Sequence, residues 1–246
     1  MCGDSHNEKP FSLESRRSIL LALGIGFAGS VAAGAARAGH LPGMKFAPTP
    51  GIDLIADTTA HAMPTPLIAT RNDLLGPFWR AGAPMLANLI PKGVDGQIMV
   101  MSGTVMDTGG KPLSGIVMDF WNADKNGAYD LKNPNQALDP SEFKFRGLSK
   151  TGDDGRYEIT TVVPGRYNIP PGLTGFEKFA GALRPSHVHL MTGSVDTVPL
   201  VTQIYFAGDD AIQNDPWAPK SKNVVTFDKS KDVWRATFDV VLVRFA

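Results

Sequence analysis

The sequence predicts an all-β fold, a β-sandwich preceded by an irregular N-terminal arm. Short apolar runs recur from residue 97 to the end of the chain, and turns rich in glycine, proline and aspartate separate them. Helical periodicity is confined to about residues 176–182. The 246 residues include 26 glycines and 19 prolines, a composition that suits many turns rather than long helices.

Charge and composition limit the kinds of molecule that the protein is expected to bind. The 24 basic and 24 acidic side chains balance, so the sequence lacks the basic excess of proteins that bind nucleic acids or anionic membranes. We therefore expect no nucleic-acid partner. Hydrophobic residues make up 43% and charged residues 20% of the chain, which is enough for one globular domain with a sizeable core.

Residues 1–38 have the features of an export signal. The sequence SRRS at 15–18 precedes an apolar run rich in glycine and alanine, which ends in ARA at 36–38, a small-x-small cleavage site. The paired arginines resemble a twin-arginine signal, which implies the twin-arginine export machinery and a periplasmic or secreted bacterial protein. A membrane anchor is the alternative, but the glycines and alanines make the run weakly hydrophobic for a bilayer span. The single cysteine, Cys2, would leave with the signal.

Residues 39–70 are predicted to form the irregular arm, and residues 71–246 the β-sandwich domain. Prolines break any long helix or central strand before residue 90. We expect the arm to wrap the domain or to contact a second subunit in a homodimer. The segment LLGPFW at 74–79 is apolar enough to be buried, either as simple packing or as one wall of a pocket.

The strands follow in order from the alternation of apolar residues. Turns by composition are DTGGKP at 107–112, DKNG at 124–127 and DDG at 153–155. The strands on either side of the DDG turn are expected to pair as a hairpin. The predicted strands are residues 98–105, 116–121, 148–151, 157–163, 187–191, 201–206, 224–227 and 233–245.

The segment RPSHVHL at 184–190 contains two closely spaced histidines, whose role can be interpreted in two ways. Residues i and i+2 of a strand point to the same face, so His187 and His189 would form half of a metal site. The alternative is a strand edge whose histidines face solvent. Among the tyrosines, Tyr129 and Tyr167 follow glycine and proline turns at predicted strand ends, where functional residues gather.

Residues 101–129 resemble the signature of the intradiol ring-cleavage dioxygenases over 29 consecutive positions without a gap. The matching residues are MxGxV at 101–105, Gly110, Leu113, MDF at 118–120 and GxY at 127–129. GRY at 155–157, PGxY at 164–167, RPxHxH at 184–189 and TQ at 202–203 follow in the family's order. The resemblance therefore covers about residues 74–206. Asn122 departs from it, since the family usually has histidine there, which puts only local hydrogen bonding in doubt.

The resemblance implies a transthyretin-like, intradiol-dioxygenase β-sandwich that holds a mononuclear non-haem Fe(III). It also implies an enzyme that inserts both atoms of O2 into a catechol-type aromatic diol to give a cis,cis-muconate-type diacid. Carried over, Tyr167 is the ligand that the substrate displaces, Arg184 stabilises developing charge, and Gln203 provides a second polar contact. Tyr157 and Tyr205 are assigned to ordinary packing. The implied iron ligands are Tyr129, Tyr167, His187 and His189.

The positions that line the ring pocket in the catechol branch are Leu74, Pro77 and Ile169 here. An apolar lining disfavours a carboxylated ring, because an unpaired carboxylate is costly to bury. Protocatechuate-type diols stay open, because a lysine could reach the carboxylate. The lysines considered are Lys92, Lys125 and Lys132.

Other classes of protein share parts of this pattern. Transthyretin-like sandwiches of exported proteins have similar turns, so a non-catalytic binding module is the main alternative. A cupin-like enzyme also uses H-x-H but needs a glutamate soon after it, and no glutamate follows Glu177. For Arg184, the alternative role is a buried ion pair near a turn.

Overall fold

The computed structural model describes residues 65–130 and 139–245. The proposed signal at 1–38, residues 39–64 of the proposed arm, and Lys132 lie outside the described residues. Residues 65–70 have no regular secondary structure, and the Leu67 amide donates to the Thr108 carbonyl at 2.8 Å. Within these two described ranges, no helix is long and apolar enough to cross a membrane.

The structure confirms the all-β fold. Short 3-10 helices occupy Pro140–Glu142, Glu177–Phe179 and Asp210–Asn214, and one short helix, α1, spans Ala218–Ser221. The strands are β1 (Ile98–Asp107), β2 (Val117–Asn122), β3 (Arg146–Lys150), β4 (Arg156–Val162), β5 (Tyr167–Asn168), β6 (Leu183–Arg184), β7 (His187–Gly193), β8 (Leu200–Phe206), β9 (Val224–Val225), β10 (Trp234–Thr237) and β11 (Val240–Leu242).

Two sheets form the sandwich. One has the strand order β3-β2-β7-β8-β9. In the other, β1 pairs antiparallel with β4 on one side and parallel with β10 and β11 on the other. Apolar side chains on the inner face of each sheet are removed from water, and the two inner faces meet in one core. Buried residues from both sheets contribute to it, including Met101, Phe120, Ile159, Leu190 and Ile204.

The predicted hairpin between the third and fourth strands is wrong. β3 pairs with β2 and β4 pairs with β1, so the turn between them carries the chain from one sheet to the other. The crossing places Tyr157 of β4 against Phe120 of β2 across the core, with ring centroids 5.6 Å apart. A flat hairpin would leave one of these aromatic faces exposed, so burial overrides the local turn signal.

Residues 84–89, here called the edge segment, run along the outer edges of both sheets. The Leu86 amide donates to the Leu148 carbonyl of β3 at 3.0 Å. Three residues later, the Leu89 amide donates to the Thr160 carbonyl of β4 at 2.8 Å. Backbone hydrogen bonds of this one segment therefore join the two sheets where their edge strands lie side by side.

At its two strands β7 and β8, the outer face of the five-stranded sheet is also buried. Every residue of β7 and β8 is buried, including those that point away from the core. Loops cover this face and enclose a second, smaller apolar cluster that includes Trp121 and Met191. Side chains that form the candidate site project from this face.

Candidate metal centre

Two histidines of β7 lie side by side on the covered face of the sheet. Their Nε2 atoms are 3.2 Å apart, and the residues are only 2% and 1% exposed. The His187 Nδ1–H donates to the Pro185 carbonyl at 2.7 Å, which leaves the lone pair of Nε2 facing His189. Trp121 stacks on the His189 ring at 4.7 Å and 8°. Among the described residues, His189 Nδ1 is buried without a hydrogen-bond partner.

Both candidate tyrosines reach this pair. The Tyr129 hydroxyl lies 3.0 Å from His189 Nε2 and 3.5 Å from His187 Nε2. The Tyr167 ring stands perpendicular to that of Tyr129, with centroids 5.5 Å apart, and lies 5.8 Å from the His187 ring. The structure thus brings together the four side chains that the sequence singled out, from three separated segments.

Two glycines explain why the tyrosines meet. A Cβ at Gly127, where φ is +83°, would lie 2.1 Å from the Arg166 carbonyl oxygen, and a Cβ at Gly165 would lie 2.4 Å from the Lys125 carbonyl oxygen. The Gly165 amide donates to the Asp124 carbonyl at 2.8 Å. The two turns therefore pack backbone against backbone, and each carries its tyrosine two residues later.

Burial sets the protonation of these groups. It lowers the pKa of His187 to about 3, with the charge of Arg184 adding to the effect. Burial likewise takes the pKa of His189 well below its ordinary value and raises the pKa of both tyrosines. Near neutral pH the imidazoles are therefore uncharged, the form that binds metals. The phenols would lose their protons only to a strongly Lewis-acidic cation.

This donor set fits a hard, highly charged ion. No group of three or more His, Cys, Asp or Glu suited to a metal occurs in the described ranges, so the anionic ligands here would be phenolates. Nearby carboxylates are already committed, because Asp215 pairs with Arg184 and Asp130 pairs with Arg146. Zn(II) more often takes cysteine, a third histidine or a carboxylate. Two buried phenols beside two neutral imidazoles suit Fe(III) better.

Arg184 lies beside Tyr167 and forms several hydrogen bonds. Its Nε donates to Asp215 at 2.6 Å, and its Nη2 donates to Gln203 at 2.6 Å and to the Tyr205 hydroxyl at 3.2 Å. The ion pair considered as an alternative role is therefore present, next to the candidate ligands. The assignment of Tyr205 to packing alone is wrong, since its hydroxyl belongs to this network.

The network continues to the segment that covers the site. Gln203 Nε2 donates to the Leu74 carbonyl at 2.8 Å, and the Tyr205 hydroxyl donates to Asp73 at 3.0 Å. Tyr157 donates to the Phe238 carbonyl within the core, in keeping with a packing role. Asn122, where the sequence departs from the family pattern, accepts from the Thr161 hydroxyl at 3.0 Å and donates to a backbone carbonyl.

A small cavity opens between Tyr167 and Arg184. Pro77 and Ile169 line it, whereas Leu74 is not among its lining residues. Other apolar side chains complete the lining. Phe78 belongs to the segment at 74–79 that the sequence offered as a possible pocket wall, whereas Leu173 and Phe176 were missed because irregular loops show no periodicity. The Phe78 ring also stacks on Tyr129 at 4.3 Å and 14°.

Comparisons with known proteins agree on one family. A family model described as dioxygenase matches residues 76–244. The chain is 34% identical over 171 residues, 65% of its length, to chlorocatechol 1,2-dioxygenase of Rhodococcus opacus. It is 32% identical over 196 residues, 76% of its length, to hydroxyquinol 1,2-dioxygenase of a Rhizobium species.

A solved structure gives the same result. The crystal structure of 3-chlorocatechol 1,2-dioxygenase from Rhodococcus opacus matches with a TM-score of 0.62 at 26% identity, covering 71% of this chain and 72% of that one. The matches cover 65% and 64% of the two relatives named above, so the chain spans slightly less than two thirds of each. By the extent of the family match and by its fold, the chain belongs to the intradiol dioxygenase family.

Proposed function

We propose that the chain is an Fe(III)-dependent intradiol dioxygenase that cleaves an uncarboxylated catechol-type diol with O2 to a cis,cis-muconate-type diacid. The convergence of two phenols and two neutral imidazoles in a buried site carries this proposal. Tyr129, Tyr167, His187 and His189 would hold the iron. Bound there, a ferric ion would supply a Lewis acid that stabilises phenolate oxygens and draws electron density from a coordinated diol ring.

The two tyrosines have different surroundings, which favours different roles. Tyr129 is covered by Phe78, and the next residue, Asp130, forms a buried ion pair with Arg146. Tyr167 lines the cavity, and Arg184 beside it favours the phenolate by lowering its pKa against the effect of burial. We therefore assign Tyr129 as the fixed ligand, and Tyr167 as the group that gives way to the diol and accepts one of its protons.

Arg184 and Gln203 provide the polar side of the cavity. The guanidinium stays charged at any working pH, and its position beside Tyr167 suits stabilisation of negative charge that develops on the diol ring and its oxygens. Gln203 orients this group through the 2.6 Å hydrogen bond that it accepts from Nη2. The cavity is about 10 Å³ in this structure, so it must widen to admit the diol, and its apolar residues would then contact the ring and exclude water.

The lining supports a diol without a ring carboxylate. Arg184 is the cation at the cavity, and its Nε and Nη2 already donate to Asp215, Gln203 and Tyr205. Lys125 pairs with Asp95 at the surface and does not line the cavity. A ring carboxylate would therefore be buried without a partner, at a cost of several kcal/mol. Chlorocatechol and hydroxyquinol enzymes are both among the relatives, so both types of diol belong in the test.

Two further proposals rest on sequence features alone. The first is export to the periplasm by the twin-arginine machinery, and the second is a homodimer formed through residues 39–70. Fractionation of cells that express the full chain, with Arg16 and Arg17 intact or replaced by lysine, would test the first. Size measurement of the purified protein would test the second.

The experiment that tests the function uses the full chain loaded with iron. We expect a burgundy visible absorption from phenolate bound to Fe(III), and O2 uptake with a catechol, a hydroxyquinol or both, with little for protocatechuate. A protein that binds iron without colour, or that has colour but cleaves none of these diols, would favour the non-catalytic binding module instead. Tyr129→Phe and His189→Ala should each lose iron or its colour, whereas Arg184→Ala should keep the colour and lose turnover.

A further inference from the structure

The guanidinium of Arg184 is held by a segment far from it in sequence. Asp215 accepts from its Nε at 2.6 Å, and the Trp217 ring lies against its face, with the guanidinium carbon 4.7 Å from the ring. The side chains of Arg184 and Asp215 are 2% and 0% exposed. One partner thus lies at the edge of the guanidinium plane and the other lies on its face, so together they restrain both rotation and tilt.

The two oxygens of the Asp215 carboxylate accept hydrogen bonds from different groups. Oδ2 accepts from Arg184, while Oδ1 accepts from the backbone amides of Trp217 and Ala218 at 2.9 and 2.7 Å. The two hydrogen bonds that Oδ1 accepts fix the turn from which α1 begins, and therefore the position of the Trp217 ring. An asparagine has a single carbonyl oxygen, so it could serve the turn or the arginine but not both.

Trp217 also supports the wall of the cavity. Its ring meets Phe176 at 5.9 Å and Phe179 at 4.7 Å, both edge to face. Phe176 lines the cavity, whereas Asp215 does not. The two residues therefore differ in a testable way, because the Trp217 side chain contacts both the arginine and the ring-binding wall, whereas the Asp215 side chain contacts the arginine and the backbone of its own turn.

We propose that Asp215 and Trp217 are positioning residues that hold Arg184 with its remaining N–H edge toward Tyr167 and the bound diol. This rests on the proposed function, in which Arg184 stabilises charge as the ring is attacked. Asp215 sets the rotation of the guanidinium and Trp217 sets its height above the network of Gln203 and Tyr205. Displacement of a catalytic group by about 1 Å can cost on the order of a hundredfold in rate.

The test compares Asp215→Asn with Asp210→Asn in the iron-loaded full chain. Asp210 lies in the same segment but forms an exposed ion pair with Arg166, so its variant should match the wild type. For D215N we expect kcat to fall about 10-fold to 100-fold, with KM changed less than about threefold because the apolar wall and the iron site are intact. Iron content and the visible spectrum should be those of the wild type.

The Trp217 variants form a second, independent arm. Trp217→Leu removes the aromatic face and the support of Phe176, so it should lower kcat and raise KM together. Trp217→Phe keeps a face for the guanidinium and should recover most of the kcat that W217L loses. If D215N does not accumulate as folded protein, this pair decides the question: equal kcat values for W217L and the wild type would overturn the proposal.

The kinetics, the iron content and the position of the guanidinium separate a positioning role from a structural one. A D215N protein with wild-type kcat would overturn the proposal, and so would a kcat loss accompanied by loss of iron and colour. If the wild type itself cleaves no diol, the proposed function fails, and crystal structures of the wild type and D215N then report on the arginine directly. A guanidinium that stays in place in D215N would overturn the proposal, whereas one that turns away from Tyr167 would support it.

Discussion

Substitution of Gly165 by alanine tests how the two tyrosine turns define the site. Gly165 does not have a positive φ, so an alanine there is opposed by lack of space alone. Its Cβ would lie 2.4 Å from the Lys125 carbonyl oxygen and 2.5 Å from the Gly127 amide nitrogen, about 1 Å short of the 3.4 Å at which ordinary contact begins. The turns must therefore move apart by a comparable distance.

Two effects of different size follow from that movement. Overpacking of this kind costs about 1–3 kcal/mol, which for a domain of this size lowers Tm by roughly 2–12 °C. Metal sites tolerate only about 0.2 Å in ligand distance, so iron binding should suffer far more than stability. We expect G165A to fold, to bind iron weakly and to lose the phenolate absorption of Tyr129 and Tyr167.

The assay is thermal unfolding of the iron-free protein together with a visible titration with iron. Gly152→Ala is the matched control, because its Cβ would lie 3.2 Å from the Asp154 carboxylate and 3.9 Å from the Arg156 carbonyl oxygen, in an exposed turn. G152A should match the wild type in both measurements. A G165A protein with wild-type Tm and wild-type iron absorption would refute the view that close backbone contact sets the spacing of the phenols.

Three further predictions concern the core, the pH dependence and the cavity. Tyr157→Phe leaves the buried Phe238 carbonyl without its 2.7 Å donor, so urea unfolding should show a loss of about 1–3 kcal/mol with an unchanged iron spectrum. Burial raises the pKa of Asp119 from 3.8 to about 7, so the folded state holds the extra proton and the free energy of unfolding falls as pH rises through about 4–7. In iron-free protein Asp119→Asn should remove that fall, and a D119N protein with the same pH dependence as the wild type would contradict it. Phe176→Arg should raise kcat/KM for a ring-carboxylated diol relative to its parent diol, measured by O2 uptake, because it adds an unpaired cation to the cavity.

Local sequence patterns were enough to predict most strands. Alternation identified β1, β2, β7 and β8 to within about two residues, because these strands each have one face in the core. Pairing was harder, and the hairpin after Lys150 was wrong because partner choice depends on which sheet buries each strand. The two-residue strands β5 and β6 were not predicted, since two residues show no periodicity.

The residues of the candidate site likewise fall into those with a local sequence signal and those without one. Tyr129 and Tyr167 could be singled out because glycine turns precede them, and the two histidines because a strand places them on one face. Asp215 and Trp217 carry no such local signal, and they reach Arg184 only because β6 and the segment before α1 are brought together by the fold. Phe176 was missed for a similar reason, since an aromatic residue in a loop has no pattern that points to a cavity.

The edge segment at 84–89 has a consequence for anyone who shortens this protein. The family match begins at residue 76 and the first strand at Ile98, so trimming to the strand is an obvious choice. Such a truncation would uncover the backbone donors and acceptors of β3 and β4 at once. Open strand edges recruit other chains, so a version that starts at Ile98 should associate through them, whereas one that starts before Gly76 should stay dispersed.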